Sequence, residues 1–247
     1  MIYTIGLGTV INALAILAGG AVGLVLKRFL SSRVTDTVTN GMGLSVVIIG
    51  VSGALGASFK VTGGSITSEY VLLMIISLTV GAFIGESIGI EERLNVFAGF
   101  CEKKLIKPGE ASTFSQGFVT ATLLFCVGSM AIVGALEDGI SRNIDILAAK
   151  SVLDGVGAMV FASTMGVGVL FSAASVAVYQ GLITVLAMIV SPFFTDEVVR
   201  QISLIGAVLI LGTGLNLLRI TKIKVSNLLP AVLIPIVYYA IKLLFFK

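Results

Sequence analysis

Eight apolar runs, each close to the length of a bilayer crossing, constrain this chain more than any motif in it. They read as 4–26, 40–58, 70–89, 116–136, 147–169, 173–192, 200–218 and 227–246. A hydrocarbon core takes about 20 apolar residues of helix to cross. Lipid offers the backbone no hydrogen bonds, so helices are the open-chain solution there. The sequence therefore predicts an all-α, polytopic helical membrane protein with about eight transmembrane helices. The whole chain, 1–247, reads as a single integral membrane domain. The weakest boundary is the fifth to sixth, where "LFSAASVAV" carries no charge, and the split is set near Ser172. The first run has no basic residue ahead of it and so lacks the start of a signal peptide; it reads as a retained helix.

Charge is what a soluble alternative would need. Only 12% of residues are Asp, Glu, Lys or Arg, about half the share of a soluble domain, which is roughly a quarter. A net charge of +3 gives no reason to expect nucleic acid. Histidine is absent, which removes the commonest metal ligand. The two cysteines, Cys101 and Cys126, form no CxxC pair, and Cys126 reads as packing. No phosphate-binding "GxxxxGK[ST]" occurs, and no cofactor is expected.

Basic residues orient such a chain. The first loop holds Lys27, Arg28 and Arg33; the third holds Arg93, Lys103, Lys104 and Lys107; the seventh holds Arg219, Lys222 and Lys224. The other side holds Lys60, Arg142, Lys150, Arg200, Lys242 and Lys247. Odd loops are thus expected in the cytoplasm and both termini outside, with Lys242 and Lys247 discordant.

Two short matches suggest internal symmetry. "NGMG" at Asn40 and "DGVG" at Asp154 lie 114 residues apart, and Gly20-Ala21 falls on Gly134-Ala135 at the same offset. Units of three spans, 1–95 and 113–195, would then form a 3+3 inverted repeat, with additional helices in 196–247. In a chain this rich in Gly and Ala, coincidence accounts for the matches equally well.

Glycines recur every fourth position, as at Gly19 and Gly23, and at Gly81, Gly85 and Gly89. Such ridges let helices pack closely, within a chain or in a homo-oligomer. "NGMG", "DGVG" and "MGVG" space glycines differently, two apart, at Gly41 and Gly43, Gly155 and Gly157, and Gly166 and Gly168. Each glycine weakens a helix by about 1 kcal/mol relative to Ala. These pairs are expected to break helices and to let backbone approach a ligand.

Polar groups at membrane depth are costly, and the default reading of an ionisable one is functional. Asp154 is the foremost candidate, too short to reach the interface. Lys150 is one turn away and long enough to snorkel outward. Glu137 and Asp138 end the fourth run, where carboxylates oppose a helix dipole unless a cation, a proton or Lys150 is near. Glu86 reads as interfacial as readily as functional. Gln180, Asn12, Asn216 and Asn227 are amides that need partners; Asn12 and Asn216 share a Gly-Thr-x-x-Asn spacing. Pro235 is expected to loosen the last span.

The stretches "GTVINALAILAGGAVG", "GFVTATLLFCVGSMAIVGALEDG", "AKSVLDG", "FASTMGVGVLFSA", "YQG", "LILGTGLNLL" and "VSNLLPAVLI" run from the first span to the last. They resemble the YdfK/YqgA-type family of bacterial inner-membrane proteins. The resemblance implies a multi-pass protein of a prokaryotic cytoplasmic membrane and brings no substrate. From the residues, the leading expectation is a secondary transporter or channel for a small polar or charged solute. Asp154 would couple to a proton or cation, Lys150 would bias its charge, and Asn40 would be its symmetry mate. Glu137, Asp138, Gln180, Asn12 and Asn216 would shape the path. A scaffold or partner subunit is the alternative. An enzyme comes last, because Ser129 or Ser151 would have only Lys or carboxylates to activate it.

Overall fold

The computed structural model describes residues 4–62, 64–93, 96, 111–126, 129–190 and 194–245. Cys101 and the basic cluster of Lys103, Lys104 and Lys107 lie outside the described residues, as does Lys247. In order, the long helices are α1 (Leu7–Lys27), α2 (Ser32–Ser58), α3 (Val71–Ile88), α4 (Ala111–Cys126), α5 (Ser129–Ser141), α6 (Asp145–Met165) and α7 (Gly168–Val185). Then come the short α8 (Ala187–Val190), α9 (Asp196–Leu217), a 3-10 segment (Val225–Leu233) and α10 (Ile234–Phe245). Among the described residues seven helical segments are long and apolar enough to span a membrane. The bent pair α4–α5, at 59° to one another, makes up to eight. The chain is an all-α polytopic protein.

Several boundaries differ from the apolar runs, each for a physical reason. Helix α2 starts eight residues before the second run, at Ser32, because backbone hydrogen bonds continue through polar sequence that hydropathy rejects. At 27 residues it is about 40 Å long, more than one crossing needs. The fourth run divides into two helices instead of one. The break between the fifth and sixth falls at Gly166, not near Ser172. Gly166 has φ +80°, a backbone conformation that side chains resist. Helix α9 opens on Thr195, whose hydroxyl accepts from the Val198 N–H at 3.3 Å, with Asp196 and Glu197 in the first turn. Pro235 does not break a helix: it sits in the first turn of α10, where its missing N–H has no partner to lose. Pro230 lies within the 3-10 segment.

The expected helix breaks at two of the double-glycine pairs are absent. Helix α2 runs straight through Gly41 and Gly43, and α6 runs through Gly155 and Gly157. Both helices keep their ladder because glycine lowers helix propensity without removing a donor, and tertiary packing outweighs about 1 kcal/mol. Only "MGVG" marks a break, at the α6–α7 junction.

Two compact units emerge. The first takes Met1–Met42 and Glu92–Ser191; the second takes Gly43–Glu91 and Pro192–Lys247. In the first, α1 packs along α6 and α7, while α7 also packs on α4 and α5. The α1–α6 seam is close because its glycines allow it: a Cβ on Gly19 would run into the Gly155 carbonyl oxygen, and one on Gly23 into that of Met159. Gly155 in turn faces the Ala15 carbonyl. The second unit packs α3 on the 3-10 segment, with Gly81 against Ala231 and Gly85 against the Asn227 carbonyl.

The second unit also holds a small hairpin, β1 (Phe59–Thr62) and β2 (Ser65–Ser68), antiparallel with Lys60 opposite Thr67. Hydropathy alone makes this stretch a loop between two apolar runs. It is tied to α9 by Arg200, which donates to Glu69 Oε2 at 3.2 Å and to the Ala57 carbonyl at 3.1 Å. Arg200 also lies 5.3 Å from the ring centroid of Tyr70.

Candidate functional site

Helix α6 reverses the amphipathicity of a soluble helix. Val152, Leu153 and Val156 point outward, while Lys150, Ser151 and Asp154 point into the first unit. Helix α1 does the same, with Val10, Leu14 and Leu17 outward and Thr9, Asn12 and Gly19 inward. Polar residues at three- and four-residue spacing thus fall on one buried face of each helix. The close glycine seam holds the two faces together.

Asp154 lies nine residues into α6, about 14 Å along its axis. Its Oδ2 accepts from Lys150 Nζ and, at 3.0 Å, from Asn12 Nδ2. The same Asn12 nitrogen donates to Gln180 Oε1 on α7 at 3.2 Å. Asn12 and Gln180 are fully buried, and Lys150 and Asp154 are each only 6% exposed. Lys150 therefore does not snorkel. Its ammonium turns inward because the Asp154 carboxylate, one turn on, compensates its charge and would otherwise stand unpaired in a dry interior.

The cluster is only half satisfied. Among the described residues, Asn12 Oδ1 and Gln180 Nε2 are buried without a hydrogen-bond partner. Such groups are rare in native interiors and mark a place for water, an ion or a ligand. The assignment follows from charge: an ionised carboxylate accepts only. Asn12 must therefore turn its NH₂ toward Asp154. That NH₂ also faces Gln180, which must present its oxygen in return. An open acceptor is left on Asn12 and an open donor on Gln180.

The polar seam continues one turn toward the start of α1. Thr9 and Thr184 bring their hydroxyl oxygens to 3.4 Å. Beyond them, the fully buried Asp138 of α5 accepts from the Gly6 N–H through Oδ1 and from the Gly8 N–H through Oδ2, both at 3.1 Å. By sequence, this carboxylate calls for a cation, a proton or Lys150 nearby. The structure supplies the unpaired N–H groups and positive dipole end of α1 instead. Thr9 and Thr184 were missed as site residues, although Thr184 stands four positions from Gln180 and Thr9 three from Asn12, spacings that share a helix face.

The other candidates do not join this cluster. Asn40 and Gly41 are exposed on α2. Glu137, half-buried, accepts from Asn143 Nδ2 at 3.2 Å near the end of α5. Gly157 lies against the Phe125 ring, and Gly168 packs on the Phe114 carbonyl. The Ser151 hydroxyl donates to the Leu147 carbonyl of its own helix at 2.6 Å. The Ser129 side chain lies outside the described residues.

In the second unit, Gly43 packs against the Leu218 side chain. Asn216 clamps the turn after α9: its Nδ2 donates to the Ile223 carbonyl at 2.7 Å, and its Oδ1 accepts from Thr221 and from the Ile223 N–H. Its shared spacing with Asn12 thus serves a different purpose. Asn227 Oδ1 accepts from the Glu91 N–H at 2.8 Å, and its Nδ2 donates to Glu86 at 2.5 Å. Glu86, largely exposed, also takes Lys224 Nζ at 2.6 Å and lines an open groove of about 410 Å³. Nearby Glu91, beyond the end of α3, has its carboxyl pushed above the ordinary range by burial, an effect that the Lys224 charge partly offsets.

Comparison with known proteins agrees with this architecture. "Uncharacterized membrane protein YdfK" of Bacillus subtilis (strain 168) is 33% identical over 228 residues, covering 92% of this chain and 93% of that protein. "Uncharacterized protein YqgA" of Escherichia coli (strain K12) is 30% identical over 232 residues, covering 92% and 94%. No solved structure matches. With the model of "Protein of unknown function (DUF554)" matching residues 7–240, the chain belongs to that family of membrane proteins.

Proposed function

We propose that this protein is a secondary transporter or channel for a small polar or charged solute, working across a bacterial cytoplasmic membrane. One observation carries the reading: a buried, incompletely hydrogen-bonded cluster of Asn12, Lys150, Asp154 and Gln180 among apolar helices. Packing alone gives no reason to keep two charges and two amides at that depth, where each costs several kcal/mol to bury unpaired. Sites of this kind near the midplane mark solute and ion pathways. The Thr9–Thr184 contact and Asp138 extend polar groups from the cluster to the start of α1.

A scaffold role draws less support, because the glycine ridges that could have bound a partner are used inside the chain. Gly19 and Gly23 pack on α6, and Gly81 and Gly85 on the 3-10 segment. An enzymatic role draws none from Ser151, whose hydroxyl is spent on its own helix. The basic-loop asymmetry supports both termini outside.

The test is flux into proteoliposomes. A panel of small anions, cations, zwitterions and neutral solutes is followed by light scattering against protein-free vesicles. At least one solute should enter faster through the protein, and Asp154→Asn should abolish the difference. Background rates for every solute would reject transport.

A further inference from the structure

The transport reading leaves the solute open, and the chemistry of the cluster narrows it. Lys150 and Asp154 already neutralise each other inside the first unit. A solute with net charge would enter a site without a free counter-charge, and burying that charge unpaired is strongly unfavourable. What the site does lack is one hydrogen-bond donor, for Asn12 Oδ1, and one acceptor, for Gln180 Nε2.

These two open atoms are linked. Each open atom belongs to an amide whose other atom makes the 3.2 Å contact between Asn12 and Gln180. The two open atoms are therefore carried by adjoining side chains, close enough for one small molecule to be tried against both. The orientation of both amides descends from the charge on Asp154, so donor and acceptor cannot exchange places while the ion pair stands. A carboxylate offers acceptors only and would leave Asn12 Oδ1 unpaired. An amidinium or ammonium offers donors only and would leave Gln180 Nε2 unpaired.

Resting on the transport reading, we propose that the Asn12–Gln180 pair binds a small uncharged solute of the amide or urea class. Its N–H donates to Asn12 Oδ1, and its carbonyl oxygen accepts from Gln180 Nε2. The Lys150–Asp154 pair touches no solute atom; it is the positioning element that holds the two amides in register.

Acetamide, acetate and acetamidinium test this, because they share one shape and differ in charge and hydrogen-bonding pattern. Wild-type proteoliposomes should admit acetamide over the two ions, each corrected for protein-free vesicles, by about tenfold or more, since each mismatch leaves a buried group unpaired. Gln180→Glu keeps an oxygen toward Asn12 but turns the open donor into an acceptor. In that variant, acetamide entry should fall to background and acetamidinium should gain. Size-exclusion chromatography establishes that the variant is folded, and the wild-type selectivity stands as a test without it.

Preference of the wild type for either ion overturns the inference and leaves the transport reading intact. So does equal entry of all three, the result expected if water alone fills the two positions. Entry of none of the three, with another solute of the wider panel still carried, overturns the inference alone. Background rates across the whole panel overturn both.

Discussion

Lys150 and Asp154 meet inside the first unit with almost no exposure, so removing either leaves the other's charge buried alone. Asp154→Leu or Lys150→Met should each cost about 3–5 kcal/mol. The double variant should recover most of that loss, because no charge is left uncompensated. Thermal melts in detergent of the four proteins check this; equal losses in single and double variants would show that the pair is not coupled. Asp154 was legible in the sequence because a short carboxylate at membrane depth has nowhere else to go. The inward turn of Lys150 was not, since its long side chain can point either way and only the packed neighbours decide. Asn12 and Gln180 were legible as buried amides; that they touch each other was not, because they lie 168 positions apart.

At the scale of elements, glycines of the same composition do opposite things. A Cβ at Gly19 meets the backbone of α6, while one at Gly41 meets nothing within 4 Å. Gly19→Ala should therefore destabilise by about 1–3 kcal/mol through overpacking. Gly41→Ala, exposed on α2, should stabilise by up to about 1 kcal/mol through helix propensity. Melting temperatures moving in opposite directions are the expected result, and a loss at both positions would contradict the description of α2 as an unbroken helix. Sequence spacing identified every one of these glycines but not their neighbours, and a double glycine alone does not break a helix.

The segment after α3 adds a pH dependence. Burial raises the Glu91 carboxyl above its ordinary value of 4.5, with Glu86 adding to the effect and Lys224 opposing it. The folded protein then holds this proton more tightly than the unfolded chain. Its contribution to stability is present below pH 4.5 and is lost as pH rises through the raised value. Glu91→Gln should remove that loss, so the melting temperature of the variant relative to wild type should rise between mildly acidic and neutral pH. A constant difference across that range would show that Glu91 does not titrate in the folded protein.

For the whole molecule, counting the bent α4–α5 pair as one span gives an even number of crossings, which would put both ends of the chain on one side, and the basic loops predict that side to be the exterior. A periplasm-sensitive reporter fused to the C-terminus should be active, and a matching cytoplasmic reporter silent; the reverse would refute the orientation. The compact units are each assembled from segments far apart in sequence, Met1–Met42 with Glu92–Ser191 and Gly43–Glu91 with Pro192–Lys247. The sequence by itself determined the membrane class and the helical architecture. Those follow from hydropathy and length, which are local properties of the chain. Only the tertiary structure decided that Asp138 caps α1, that Lys150 turns inward, and that Asn12 and Gln180 keep one open acceptor and one open donor. Hydrogen bonds between distant helices depend on which backbones can approach, and that is set by packing that no single stretch of sequence contains.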